Sequence, residues 1–148
     1  MGRRDEGLAF LLRYENVAWY EAGTVRILDR RIYPVRVEYV TCHSHQQVAQ
    51  AIADMVTQSG GPYTAASMGM ALAAYEARDL GKEEAIAFLE QAAYTLSHAR
   101  PTTAAKMARV TQHSLEVARK ALEEGIHGMD LAETLRQDAL ERLEKNYA

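Results

Sequence analysis

The sequence is nearly without cysteine. Cys42 stands alone, so no intramolecular disulfide can form, and this usage suits a reducing, cytoplasmic setting. It lacks any apolar run long enough to span a bilayer, which argues against a membrane partner. It lacks a block of basic residues or a stripe in which basic and aromatic side chains interleave. With a net charge of -3, nucleic acid is not expected as a main partner. A cleavable leader is not expected either. The N-terminus MGRRDEGLAFLLRYENVAWYE has two early arginines and a short apolar run, but acidic residues precede that run and no small-residue cleavage site follows. Proline is scarce, with three in the chain, and each one falls where a new segment begins: Pro34, Pro62 and Pro101.

What is present is a chain of 148 residues, 48% hydrophobic and 25% charged, enough to bury a core as one domain over 1–148. Leu8–Leu12 is an apolar run with an extended or short helical reading. The stretch NVAWYEAGTVRILDRR reads as a hairpin. Val17, Trp19, Val25 and Ile27 supply β-prone side chains, and Ala22-Gly23 forms the turn. YPVRVEYV then reads as a strand with one wet face, starting at Pro34, with Val35, Val37 and Tyr39 alternating against Arg36, Glu38 and Val40. After Thr41 the apolar period changes from two to about 3.6 residues. The fold class is therefore α+β: a small N-terminal antiparallel β-sheet (about 8–41) followed by a bundle of about five α-helices (44–147).

The helix ends are partly legible. Ser44 with Gln47 makes a capping box, and Val48, Ala51, Ile52, Met55 and Val56 follow as one apolar stripe. A second helix opens near Pro62 and runs to Asp79, with Gly81 as its C-terminal cap. Its small residues (Ala65, Ala66, Gly69, Ala73) place it at the centre of the bundle. A third helix spans Lys82 to Ser97 and buries Ala85, Phe88, Leu89, Ala92 and Leu96. A fourth starts at ARPTTAA and carries Met107, Thr111, Leu115, Ala118 and Leu122. A fifth begins near Asp130, with Glu133 completing a second capping pattern. It has a narrow stripe of Leu131, Leu135, Ala139 and Leu143, which either packs inside or docks a partner helix.

Two segments carry chemistry. In TQSGGPYTAAS, the loop Gln58-Ser59-Gly60-Gly61-Pro62 brings glycines to the start of a helix, where unpaired N–H groups and the positive dipole end favour a phosphate. The alternative is a turn that only joins two helices. In HARPTTAA, Arg100 stands immediately before a helix start, a planar donor beside oriented N–H groups, suited to an anion or else to a surface carboxylate. The two support each other if the fold brings them together. Weaker candidates have ordinary alternatives. Cys42, His43 and His45 are too few and too close for a familiar zinc spacing, so no metal is expected. A Cys42 nucleophile is possible chemistry without a demonstrated base. His98 suits a helix end, and Tyr63 a packed, partly exposed position. No cofactor is implied.

These same residues resemble the N-terminal domain of the methylthioribose-1-phosphate isomerase family, a group that includes ribose-1,5-bisphosphate isomerase and the regulatory subunits of translation initiation factor 2B. VAWYEAGTVRILDRRIYPVRVEYV is similar to the family's W-x-x-G hairpin, LDQ…LP segment and strand. VAQAIADMVTQSGGPYTAASMGMALAAYEA is similar to its helix, R-G-A-P-type loop and small-residue helix. LSHARPTTAAKMARV is similar to its SRPTAVNL helix start. The resemblance implies that Gly60, Gly61 and Arg100 face a sugar phosphate, with Ser59 standing where the family's loop arginine would be. It also implies a Rossmann-like domain holding a catalytic cysteine and aspartate. Cys42 does not match that cysteine, and no catalytic residue is assigned within this chain.

Two functional expectations result. In one, the chain is a subunit of a split sugar-phosphate aldose–ketose isomerase, inactive alone, in hetero-oligomer with a separately encoded Rossmann-like chain. In the other, it is a non-catalytic regulatory or structural module. Self-association as a homo-oligomer stays open in both, and the ligand expected in the first is a phosphorylated sugar. Exposed apolar surface is expected where a partner rests, near the SGGP loop and the last helix.

Overall fold

A computed structural model describes residues 17–58 and 61–146, with side chains through 142. The apolar run Leu8–Leu12, Ser59, Gly60 and the side chain of Leu143 lie outside the described residues. Three antiparallel strands, β1 (Ala18–Glu21), β2 (Thr24–Leu28) and β3 (Tyr39–Cys42), form a sheet in the order β1-β2-β3. Five helices follow: α1 (His45–Ala53), α2 (Gly61–Glu76), α3 (Lys82–Ser97), α4 (Ala104–Glu123) and α5 (Met129–Asn146). The α+β class read from the sequence is the observed one.

The hairpin turns where its residues require. Glu21 pairs with Thr24, so the loop is Ala22-Gly23, and both adopt positive φ (50° and 86°), as a two-residue turn of right-handed strand twist demands. Ala18, Tyr20, Val25 and Ile27 form the buried face, while Trp19 lies on the other face with the Arg136 guanidinium over its ring. Burial raises the pKa of the Tyr20 phenol, an effect opposed by a hydrogen bond with the Gly23 backbone.

The third strand is shorter than its alternating pattern predicts. Only Tyr39–Cys42 pairs with β2, and Val35 and Val37 are exposed. The cause is Asp29, at the end of β2. Its backbone carbonyl accepts from the Ile32 and Tyr33 amides, and its carboxylate accepts from the Arg31 amide at 3.0 Å and from the Arg31 guanidinium at 2.9 and 2.8 Å. These bonds wind 29–35 into turns, with a cis Tyr33–Pro34 bond, where alternation alone suggests a strand.

α2 is the central helix. It packs against β1, β2 and the other four helices, and Met68, Met70 and Leu72 are fully buried. Each such side chain contributes roughly 1.5–3 kcal/mol relative to exposure. Around it, α1 opens on Ser44, whose hydroxyl accepts from the Gln47 amide at 3.2 Å, while Gln47 Oε1 accepts from the His43 amide. α3 has the predicted bounds. Gly81, however, is the N-cap of α3 with φ -67° rather than a cap for α2, because α2 ends at Glu76 and turns fill the interval. Asp130 likewise lies inside the first turn of α5. Glu133 bonds Arg136 and Gln137 instead of closing a capping box. The α5 stripe of Leu131, Leu135 and Ala139 is buried against the bundle, chiefly on α2 and α4, so it is not a free seam. No helix among the described residues is long and apolar enough to cross a membrane.

Candidate functional site

The candidate loop is built from the end of α1. After Ala53 the chain reverses through a Schellman arrangement: the Met55 amide donates to Ile52 O at 3.2 Å and the Val56 amide to Ala51 O at 3.0 Å. The pivot, Met55, has φ +64°, a conformation ordinarily left to glycine. The sequence pattern places Met55 in the buried stripe of α1, but the helix stops before it, and 47% of Met55 is exposed. Val56 and Thr57 are buried, and the Val56 carbonyl accepts from the Arg30 amide at 2.7 Å, so the Asp29 turn backs this segment.

Arg100 reaches the same segment from the connection between α3 and α4. Its Nε donates to Ile52 O at 2.8 Å and its Nη2 to Thr57 O at 2.6 Å. Arg100 is extended (φ -132°, ψ 121°) and precedes a short 3-10 turn, Pro101–Thr103, that leads into α4. Its planar fork thus bridges a carbonyl at the negative end of α1 to a carbonyl at the start of the loop. Neither a surface carboxylate nor an anion is its partner here. It holds main chain. The two segments singled out in the sequence, around 57–61 and around 98–105, therefore meet at one residue.

Gly61 opens α2 and is buried. Its amide donates to Gln58 O at 3.0 Å, and a Cβ there would fall 1.9 Å from Thr57 Oγ1. Glycine at this position lets the helix begin directly against Thr57, and its own N–H is spent within the turn. Two residues on, Tyr63 is half-buried, and the Lys106 ammonium from α4 lies 4.3 Å from its ring centroid. Sequence reasoning missed Lys106. The available signal was that it is the one charged side chain between Arg100 and Met107. Arg100 thus contacts the chain before the loop, at Ile52 and Thr57, and Lys106 contacts it after the loop, at Tyr63, and neither has a carboxylate partner among the described residues.

The remaining candidates have structural occupations. His98 is the C-cap of α3. Its Nδ1 lies 2.8 Å from Tyr94 O and 3.1 Å from Ser97 Oγ, and its ring stacks on Tyr94 at 4.0 Å. His45, fully buried, opens α1. Its amide donates to Glu76 Oε1 at 2.8 Å, and its Nδ1 lies 2.7 Å from the same oxygen. A carboxylate from the end of α2 therefore caps α1, a contact 31 residues long that no local pattern announces. Phe88 stacks edge-on against His45 at 5.3 Å. Cys42 is buried and free, and burial pushes its thiol up to about 11, so at neutral pH it is not the thiolate that nucleophilic chemistry needs. Proton transfer at the corner around Arg100 would require an acid and a base from elsewhere.

No family model matches the chain. Among curated proteins it is similar to methylthioribose-1-phosphate isomerases. The one from Roseiflexus castenholzii is 33% identical over 109 residues, covering 70% of this chain and 30% of the relative. The one from Xylella fastidiosa (strain M23) is 41% identical over 80 residues, covering 53% and 22%. The one from Thermotoga neapolitana is 28% identical over 137 residues, covering 91% and 37%. The chain thus spans between 22% and 37% of the length of these relatives. Among solved structures, 5-methylthioribose 1-phosphate isomerase from Pyrococcus horikoshii OT3 shares the fold at a TM-score of 0.70 and 21% identity, covering 88% of this chain and 36% of that one. The delta subunit of translation initiation factor eIF-2B from A. fulgidus matches at 0.66 and 26% identity, covering 86% and 35%. The resemblance read from the sequence holds: homologues of that name match parts of this chain, and its fold is that of a segment of both solved proteins, consistent with an N-terminal domain.

Proposed function

We propose that this relative of the methylthioribose-1-phosphate isomerases is the helical part of a split sugar-phosphate aldose–ketose isomerase. In this reading it closes one side of the site and presents the 57–61 loop, Ser59, Gly60, Gly61 and Arg100 to the phosphate. A separately encoded Rossmann-like chain supplies the catalytic acid and base. The observation that supports the reading is the Arg100 bridge, which joins two segments otherwise 43 residues apart at one corner. Burial of Cys42 supports a division of labour in which this chain binds and orients while the partner performs proton transfer. A sugar phosphate clamped between two rigid pieces would be held in register and shielded from water.

The test is a pull-down from the source cell at native expression, read by mass spectrometry. Recovery of a chain with a cysteine- and aspartate-bearing Rossmann-like domain supports the split enzyme. The pair is then assayed on phosphorylated aldoses, where Arg100→Ala weakens substrate binding. Recovery of only self-copies or unrelated regulators sinks it.

A second reading has its own support in the likeness to an eIF-2B delta subunit. There the helical fold serves as a regulatory or structural binding module without catalysis. Self-association together with indifference to phosphorylated sugars would favour it.

A further inference from the structure

We infer that a second copy of this chain pairs antiparallel along the outer edge of β3, about a two-fold axis at Val37. β3 is an edge of the sheet, and its ladder runs one pair beyond Tyr39, where the Asp29 amide donates to Glu38 O at 2.9 Å. The Arg36 amide is likewise turned into the chain, donating to Ile32 O at 3.1 Å. Between them, Val37 has neither its N–H nor its carbonyl in a hydrogen bond among the described residues. Successive residues of a strand turn their polar groups to opposite sides, so those of Val37 face outward, away from β2. Apolar surface lies along this edge. Val35 is 90% exposed, the most of any large apolar side chain among the described residues, and Val37 is 55% exposed.

Charge protects an edge only where like charges meet across it. Here the two charges have opposite sign and flank Val37 symmetrically, as Arg36-Val37-Glu38. Both are exposed, and neither makes an ion pair among the described residues. With Val37 opposite its own copy, the two valines exchange both main-chain hydrogen bonds, and each Arg36 stands opposite Glu38 of the other copy. These are non-hydrogen-bonded positions, where facing side chains approach most closely. The same register sets Val35 opposite Tyr39 of the second copy. Moving the axis by one residue either way sets Arg36 opposite Arg36 or Glu38 opposite Glu38, so the charges fix the register as well as the partner. The occupant is another copy of this chain because the segment is complementary to itself. Such a dimer is compatible with both readings of function above.

The experiment is sedimentation velocity of the full chain from about 5 to 500 μM, the range in which so small an interface exchanges between monomer and dimer. Wild type should shift toward the dimer as concentration rises, and less so in high salt, because the ion pairs are exposed. Arg36→Glu and Glu38→Arg each set like charges opposite one another at both positions, and each should dimerise about tenfold more weakly. Mixed together, the two variants should associate as wild type does, since every arginine then faces a glutamate across the axis. Both substitutions in one chain keep the pairing and should dimerise like wild type. Neither recovery can come from a loss of fold or of packing. If wild type stays monomeric over this range, the inference is overturned. If the charge-reversed variants dimerise like wild type, or fail to recover on mixing, self-association uses another face and the assignment of this edge is overturned.

Discussion

Two helices of this protein end in the same way with different residues. α1 closes through Met55 and α4 through Gly125. In both, the left-handed residue donates to the carbonyl three back, and the next residue, Val56 or Ile126, donates to the carbonyl five back, at 3.0 and 2.9 Å. The hydrogen bonds are equivalent, but the cost is not. Gly125 has open space around its α-carbon and adopts φ +88° freely, whereas Met55 at +64° carries a side chain in a conformation that disfavours it by about 1–2 kcal/mol. The difference lies in the segment that each end leads into. α4 runs into an ordinary connection. α1 runs into the candidate loop, where Arg100, the Asp29 turn and the start of α2 all fasten onto residues 52–58. A strained backbone persists where its surroundings over-determine it, and here they do.

If that fastening is the reason Met55 is tolerated, the largest effect belongs to Arg100. Arg100→Ala strands the Ile52 and Thr57 carbonyls in a partly buried place and should cost about 2–3 kcal/mol, measured by urea denaturation. Hydrogen exchange should rise at 54–58 well before the end of α4. Arg100→Lys should recover less than half of the loss, because an ammonium cannot span both carbonyls. Uniform protection across the two helix ends in Arg100→Ala would break the comparison.

Gly61→Ala comes next. Its methyl would lie 1.9 Å from Thr57 Oγ1, so the loop must shift at a cost of about 1–3 kcal/mol. Thr57→Ala should rescue the double mutant substantially. Additive losses would show that Thr57 is not the obstacle.

How much of this is legible in the sequence depends on the range of each interaction. The hairpin turn, the Ser44 cap and the bounds of α3 depend on neighbours within four positions, and the sequence displays them. The stop of α1 does not show, because Val56 continues the apolar spacing of the helix even though the backbone has already reversed at Met55. The strand expected from Pro34 fails because Asp29, five positions earlier, binds the following turn with both its carbonyl and its carboxylate. Gly81 marks the right gap but caps the other helix. In the candidate site, Arg100 is visible as a residue, but its partners lie 43 and 48 positions away. The Glu76 cap on His45 and the seat of Lys106 on Tyr63 are equally non-local, so composition and period carry no trace of them.

The helix-end comparison is sharpest in a reciprocal pair of substitutions. Met55→Gly relieves the left-handed strain but adds freedom to the unfolded chain, for a net gain of about 0.5–1 kcal/mol. Gly125→Ala should lose about the same amount for the inverse reasons. The double mutant should melt near the wild-type temperature, since the sites share no partner. A Met55→Gly variant that is destabilised would mean that the half-exposed methionine side chain makes contacts worth more than its backbone strain.

The smallest expected effect separates the two ends by pH. The Arg31 guanidinium holds the Asp29 carboxyl below its usual range, against the opposing pull of burial. A carboxyl lowered in the folded state contributes stability that is present above its unfolded value of about 3.9 and is lost as pH falls through the folded value. Asp29 anchors the turn whose Arg30 amide donates to Val56 O, so acid should loosen the Met55 end first. In an NMR titration from pH 5 downward, the Arg30 and Val56 amides should shift together with Asp29, while Ile126 follows only global unfolding. Asp29→Asn should remove the coupled shift. If the Ile126 amide instead moves with the same midpoint as Arg30, acid acts on the whole bundle, and the segment under Arg100 is not a separately fastened unit.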